Sequence, residues 1–156
     1  MALHCCMRTH YLERKQWVTA PLGKLFSFFS RPENLQKLTP PWLDFRIVEA
    51  PAELTAGALI RYRLRWHFLP IHWSTEIADW SPPHKFVDRA LSGPYALWNH
   101  EHSFESHQGG TTMHDRVTYA LPLGVCGSFA HRLWVKRDIG KIFDYRADKM
   151  RELFPS

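Results

Sequence analysis

Two imidazoles two positions apart, His100 and His102, are the side chains in this sequence best suited to move a proton near neutral pH. Residues two apart on a strand share a face, so Trp98, His100, His102 and Phe104 point together. After the loop Ser106-His107-Gln108-Gly109-Gly110, a second segment places Met113, Asp115, Val117 and Tyr119 on one face. The apolar company of both sets argues that these faces are inward. Hairpin pairing then sets Asp115 opposite His100 or His102, depending on register.

Three chemistries fit that constellation. A buried Asp satisfied by an imidazole N–H is a structural pair that can also orient a polar ligand group. An acid–base pair would use Asp115 to fix the tautomer of a proton-shuttling His, with Tyr119 beside it. Two His and one carboxylate are also a metal donor set, but no fourth ligand is evident and the companions are aromatic. No metal and no other cofactor is therefore expected. Nucleophilic catalysis lacks a Gly-x-Ser-x-Gly elbow, and Cys126 lies in a Gly-rich stretch without a designated base. Gly109-Gly110 reads as a hairpin tip rather than a phosphate cradle.

The second chemical resource is aromatic. The chain has 7 Trp, 10 Phe and 5 Tyr in 156 residues. Tyr62, Trp66, Trp73, Trp98, Phe104, Met113 and Phe143 are the candidate ligand-binding residues. Any single ring is most simply core; so many together suit a pocket for a flat or hydrophobic molecule, with Tyr and Trp tips to hold an oxygen.

The elements that must position these groups follow from periodicity. A strand is predicted from His10 to Val18, then a short helix with Leu22, Leu25, Phe26 and Phe29 on one face and Pro21 at its first position. Ser30-Arg31-Pro32-Glu33 has capping-box spacing and predicts a second short helix, stopped by Thr39-Pro40-Pro41. Strands are expected over 43–49, 58–66, 71–80, 85–91, 95–105 and 111–121. In the second of these, Ile60, Tyr62, Leu64 and Trp66 alternate with Arg61, Arg63 and Arg65, which predicts one dry and one solvated face. A last helix of about 26 residues, close to 40 Å, is expected from an N-cap at Ser128 to Phe154. Phe129, Leu133, Gly140, Phe143, Ala147, Met150 and Phe154 mark its apolar stripe. Gly140 answers either to close packing or ligand room, or to a tolerated surface position. One long helix cannot bury seven strands held flat, so the sheet must curl and leave a volume beneath the helix.

Composition agrees with one ordinary domain: 45% hydrophobic, 22% charged, residues 10–156 after a tail at 1–9. Net charge is +5, but it is dispersed. The densest region, Lys136, Arg137, Lys141, Arg146, Lys149 and Arg151, is interrupted by four acidic residues and reads as a solvated helix face, so no specific nucleic-acid partner is expected. The start lacks a secretory h-region, no apolar run spans a bilayer, and three cysteines make a poor disulfide framework. A cytoplasmic protein that is not integral to a membrane is the expectation.

Several segments carry a family resemblance. They are Phe28 to Leu35, Thr39 to Leu43, Trp80 to Asp88, Gly93-Pro94-Tyr95, Trp98 to Phe104 and Phe143 to Arg146. The chain resembles the SRPBCC superfamily of START lipid-transfer domains, the birch-pollen allergen group and polyketide cyclase/dehydrase proteins, most closely the ligand-binding SRPBCC domain proteins. The resemblance implies an α+β helix-grip fold, a seven-stranded bent antiparallel sheet with two short helices after the first strand and a long C-terminal helix across it. It implies binding of a small hydrophobic molecule, such as a lipid, isoprenoid or polyketide. Two other classes stay open: a cyclase or dehydratase using His100, His102, Asp115 and Tyr119, and an interaction module for a protein such as an epimerase-like enzyme.

Overall fold

The computed structural model describes residues 8–122 and 134–155. Strand β1 (Thr9–Val18) leads into helices α1 (Leu22–Phe29) and α2 (Glu33–Leu38) and a single 3-10 turn (Pro41–Leu43). Six strands follow: β2 (Arg46–Glu49), β3 (Leu59–Trp66), β4 (Leu69–Ser81), β5 (Lys85–Ser92), β6 (Leu97–His107) and β7 (Gly110–Ala120). The C-terminal helix α3 spans Lys136–Leu153. The expected α+β helix-grip architecture is present: one seven-stranded sheet in the order β1-β7-β6-β5-β4-β3-β2, antiparallel throughout.

Binary patterning decides which side of the sheet is dry. In β3, Ile60 is buried while Arg61, Arg63 and Arg65 are exposed. Beneath α1, Phe26 packs its ring against Trp80, Phe86 and Phe104. Register shifts in the β4–β5 pairing, at Ser74/Thr75 and Ile77/Asp79, insert extra residues that bend the sheet. The β6–β7 hairpin closes on Gln108 and Gly109 at φ 48° and 77°, between the paired His107 and Gly110. That two-residue, positive-φ loop matches the strand twist and sets the register downstream, pairing His102 with Asp115 and His100 with Val117.

Three local expectations are corrected. Ser30 does not cap α2; it ends α1, its hydroxyl donating to the Ser27 carbonyl at 2.9 Å, and Pro32 takes the N-cap position of α2 without a side-chain bond. The Ser30 backbone is still helical, φ −72° and ψ −7°, rather than in the extended conformation that an N-cap residue takes. Pro21 stands one residue earlier than expected, at the N-cap of α1. Within the described residues α3 begins at Lys136, preceded by a π-turn at Trp134–Val135, so its 18 residues run about 27 Å. The predicted cap Ser128, with Phe129, Leu133 and Cys126, lies outside the described residues. Gly140 faces β1, where a Cβ would come within 3.9 Å of the Arg14 guanidinium. No described helix is long and apolar enough to cross a membrane.

Gly110 tests the β1–β7 seam. A Cβ there would lie 2.4 Å from the Val18 carbonyl oxygen and 2.6 Å from the Trp17 ring. Gly110→Ala is expected to cost about 1–3 kcal/mol, the usual range for overpacking, measured by chemical denaturation.

Candidate functional site

Between the curled sheet and α3 lie two adjoining chambers of about 190 and 280 Å³. Each exceeds the space one water needs. They share Leu43, Leu64, Trp73, Tyr95, Ile139 and Ile142 as wall. The first chamber runs inward past Tyr62, Trp98 and Phe143 to Asp88, His100, His102 and Arg146. The second opens toward Trp66, Ile71 and Pro94. Here the Trp66 indole donates to Asp138 at 2.9 Å and His67 meets the same carboxylate oxygen at 3.0 Å, tying the β3–β4 hairpin to the first turn of α3.

The polar end of the first chamber is a closed circuit. Register sets Asp88 of β5 opposite His100, and His102 opposite Asp115. His100 Nε2 lies 3.0 Å and His102 Nδ1 2.9 Å from Asp115 Oδ1. On the other side, His102 Nε2 lies 2.9 Å and His100 Nδ1 3.5 Å from Asp88 Oδ2. The two imidazole centroids lie 3.7 Å apart with their planes tilted by 35°, and Phe86 stacks on His102 at 4.2 Å. From α3, Arg146 donates through Nη2 to Asp115 Oδ1 at 3.3 Å, its guanidinium lying over Phe29 and Phe143.

Burial would raise the Asp115 carboxyl; the Arg146 charge and the bonds to His100 and His102 outweigh it and hold it well below the usual range. Asp88 follows the same logic, with burial opposed by His100, by the His102 bond and by Arg146, and is also lowered. The imidazoles are pushed apart. Burial and the charge of His102 lower His100, whereas bonds to Asp115 and Asp88 overcome burial and raise His102. The hydrogen bonds run between His100 Nε2 and Asp115 and between His102 Nε2 and Asp88, and Arg146 Nη2 donates to Asp115 and lies within hydrogen-bond distance of His102 Nδ1, at 3.2 Å.

The expected pairing of Asp115 with the His-x-His motif is present, with both imidazoles. Tyr62, Trp66, Trp73, Trp98 and Phe143 line the chambers, as do His100 and His102. Asp115 does not; it stands behind the imidazoles, 2% exposed. Phe104 and Met113 are packed in the core under α1, and Tyr119 packs with Val117, Val135, Ile139 and Phe143; none of the three lines a chamber. Arg146 corrects the solvated-face reading: at 8% exposure it is buried on the α3 stripe between Phe143 and Met150. Asp88 and Arg146 were the residues missed. Asp88 alternates with Phe86 on β5 as Asp115 does with Met113, so the same inward-face signal was there.

Asp88, His100 and His102 bring one ligand atom each within 4.8 Å of one another, the metal donor set with Asp88 in place of Asp115. In the structure those same atoms serve the hydrogen-bond network, His102 Nε2 with Asp88 and His100 Nε2 with Asp115.

Two outcomes test the circuit. Asp115→Asn should cost about 1–3 kcal/mol and Arg146→Met about 3–5 kcal/mol, with the double variant losing less than the sum because both serve one network. The pH profile of melting carries the second. His102 is raised above 6.5, so its contribution is full below that pH and lost as pH rises through its folded value. His100, lowered from 6.5, begins to cost stability as pH falls below it, and the lowered carboxylates lose theirs further into acid. The melting temperature should peak near pH 6.5 and decline on both sides; His102→Gln should abolish the alkaline decline.

No protein-family model matches the chain, and no curated protein sequence matches it. Solved structures do. Ginseng major latex-like protein 151 from Panax ginseng superposes with TM-score 0.70 at 8% identity, over 95% of this chain and 99% of that one. Ara h 8.0201 gives 0.64 at 16% identity, over 93% and 99%. Protein SA2116 of unknown function from Staphylococcus aureus gives 0.71 at 11%, over 94% of each. With β1 joined to β7 and α3 laid across the seven-stranded sheet, the chain has the helix-grip fold of these solved structures.

Proposed function

We propose that this chain binds a small hydrophobic molecule in the chambers under α3. The observation that carries the reading is the cavity itself, walled by Leu43, Leu64, Trp73, Ile139 and Ile142 and left open beneath the helix. Apolar walls supply affinity through area removed from water, and a few polar groups at one end supply orientation. Lipid, isoprenoid and polyketide-like molecules fit that description. Native mass spectrometry of protein purified from its own cells, followed by extraction, should find a hydrophobic molecule at one per chain. Leu64, on the wall of both chambers, offers a control: Leu64→Trp should fill the space and weaken binding of a hydrophobic fluorescent probe at least tenfold with little loss of melting temperature. Full binding by a folded Leu64→Trp protein would locate the site elsewhere.

A second reading has its own observation. His100 and His102 both line the cavity with their protonation pushed in opposite directions, the condition under which one group accepts a proton while its neighbour gives one. Acid–base turnover of a bound polyketide- or isoprenoid-like molecule would use these two with Asp88 against the ligand and Asp115 behind. It predicts turnover that falls by orders of magnitude in His100→Ala while ligand still binds.

A further inference from the structure

We propose that Asp88, His100 and His102 form a site for one divalent first-row transition ion, with its open coordination position turned to the first chamber. The inference goes beyond the binding reading and does not depend on which molecule fills the chambers.

Strand register brings the three donors together. His100 and His102 share the inward face of β6, and Asp88 of β5 is paired directly opposite His100. One ligand atom of each lies within 4.8 Å of the other two. Asp88 Oδ2 is 2.9 Å from His102 Nε2 and 3.5 Å from His100 Nδ1. Donors held at about 2.0–2.1 Å around a tetrahedral ion stand about 3.3–3.4 Å from one another. The two separations fall on either side of that value. An ion at this point takes the place of the hydrogen that His102 Nε2 shares with Asp88.

A second observation concerns what stands behind the rings. Each imidazole turns its other nitrogen to one oxygen, Asp115 Oδ1, which is 3.0 Å from His100 Nε2 and 2.9 Å from His102 Nδ1. Metal-binding imidazoles almost always give their second nitrogen such a partner, which fixes the tautomer and aims the first nitrogen at the ion. Asp115 is 2% exposed, stands off the chamber wall and is held in turn by Arg146. Asp88, His100 and His102 are on the wall, and the Asp88 side chain is 20% exposed. The ion thus has a way in through the chamber, and its fourth position is left to an atom from that side. Three protein ligands with one open place is the plan of a catalytic site rather than a structural one. Two imidazoles and a carboxylate suit zinc-like ions; magnesium and calcium prefer oxygen donors throughout. Asp88 and Asp115 bring two negative charges, and Arg146 with a divalent ion brings three positive, so an anionic oxygen in the fourth position completes the balance.

The full chain carrying Cys5→Ser, Cys6→Ser and Cys126→Ser, so that thiols do not compete, is stripped with a chelator. It is then titrated with Zn2+ against a chromophoric chelator and with Co2+ in visible light. One ion per chain should bind, with cobalt bands of a four- or five-coordinate nitrogen and oxygen site, and excess Mg2+ should not displace it. Asp88→Asn should abolish stoichiometric uptake. Asp115→Asn should keep one ion per chain and weaken its binding about 10–100-fold, the usual effect of losing a carboxylate behind a metal-bound imidazole. Acetohydroxamate, a small oxygen chelator, should shift the cobalt bands by taking the open position. A further readout needs no ligand variant: Co2+ should broaden or shift the ring resonances of His100 and His102 and spare those of the exposed His84 and His107. Absence of stoichiometric uptake, unaltered uptake by a folded Asp88→Asn chain, or broadening confined to His84 and His107 would overturn the inference. Cobalt bands that acetohydroxamate leaves unmoved would overturn the open position.

Discussion

One carboxylate oxygen, Asp115 Oδ1, receives His100 and His102 from β6 and Arg146 from α3. A buried carboxylate is tolerable only if its charge is matched and its lone pairs are used, so this contact couples two otherwise separate decisions. One is the register of the β6–β7 hairpin, which must put Asp115 beside the imidazoles. The other is the position of α3 along the sheet, which must bring Arg146 down among Phe29 and Phe143. A helix held by an apolar stripe alone can slide by a turn at modest cost. A helix that must deliver a guanidinium to one oxygen cannot.

The cavity is the counterpart of that clamp. Arg146 and Met150 anchor the C-terminal half of α3, and Gln16 donates to the Ala147 carbonyl at 2.9 Å from β1. At the other end Trp66 and His67 hold Asp138. With both ends secured, the middle of the helix bridges the bend of the sheet. The rings there lean on one another, Tyr62 on Trp73 and Trp73 on Trp98, rather than closing the space. A hydrophobic volume that stays open is stabilised by what surrounds it and filled by what binds in it.

Polarity within the cavity is graded. Asp88, His100, His102 and Arg146 gather at one end of the first chamber, whereas the wall that it shares with the second is mainly apolar.

Much of this was legible from residue order alone. Period-two alternation marked the inward faces of β3, β6 and β7, and the short loop before Gly110 was enough to bring Asp115 to the His-x-His motif, with the register left to the turn that closes on Gln108 and Gly109. The length ratio of one helix to seven strands required a bent sheet with space under the helix. These are local or stoichiometric consequences of chain chemistry. Asp88 and Arg146 are of another kind. Asp88 carries the same alternation as Asp115, and Arg146 sits on the buried stripe of α3, but a charged residue amid polar neighbours reads as solvated until its partner is known. That partner lies on another element, Asp115 being 31 residues from Arg146 along the chain. Likewise the chain marked Phe104, Met113 and Tyr119 as inward, and they are; only the curl of the sheet decided that they face packed core while Trp73 and Trp98 face the opening. Alternation tells a side chain which way to point, and what it meets there is set by elements distant in sequence.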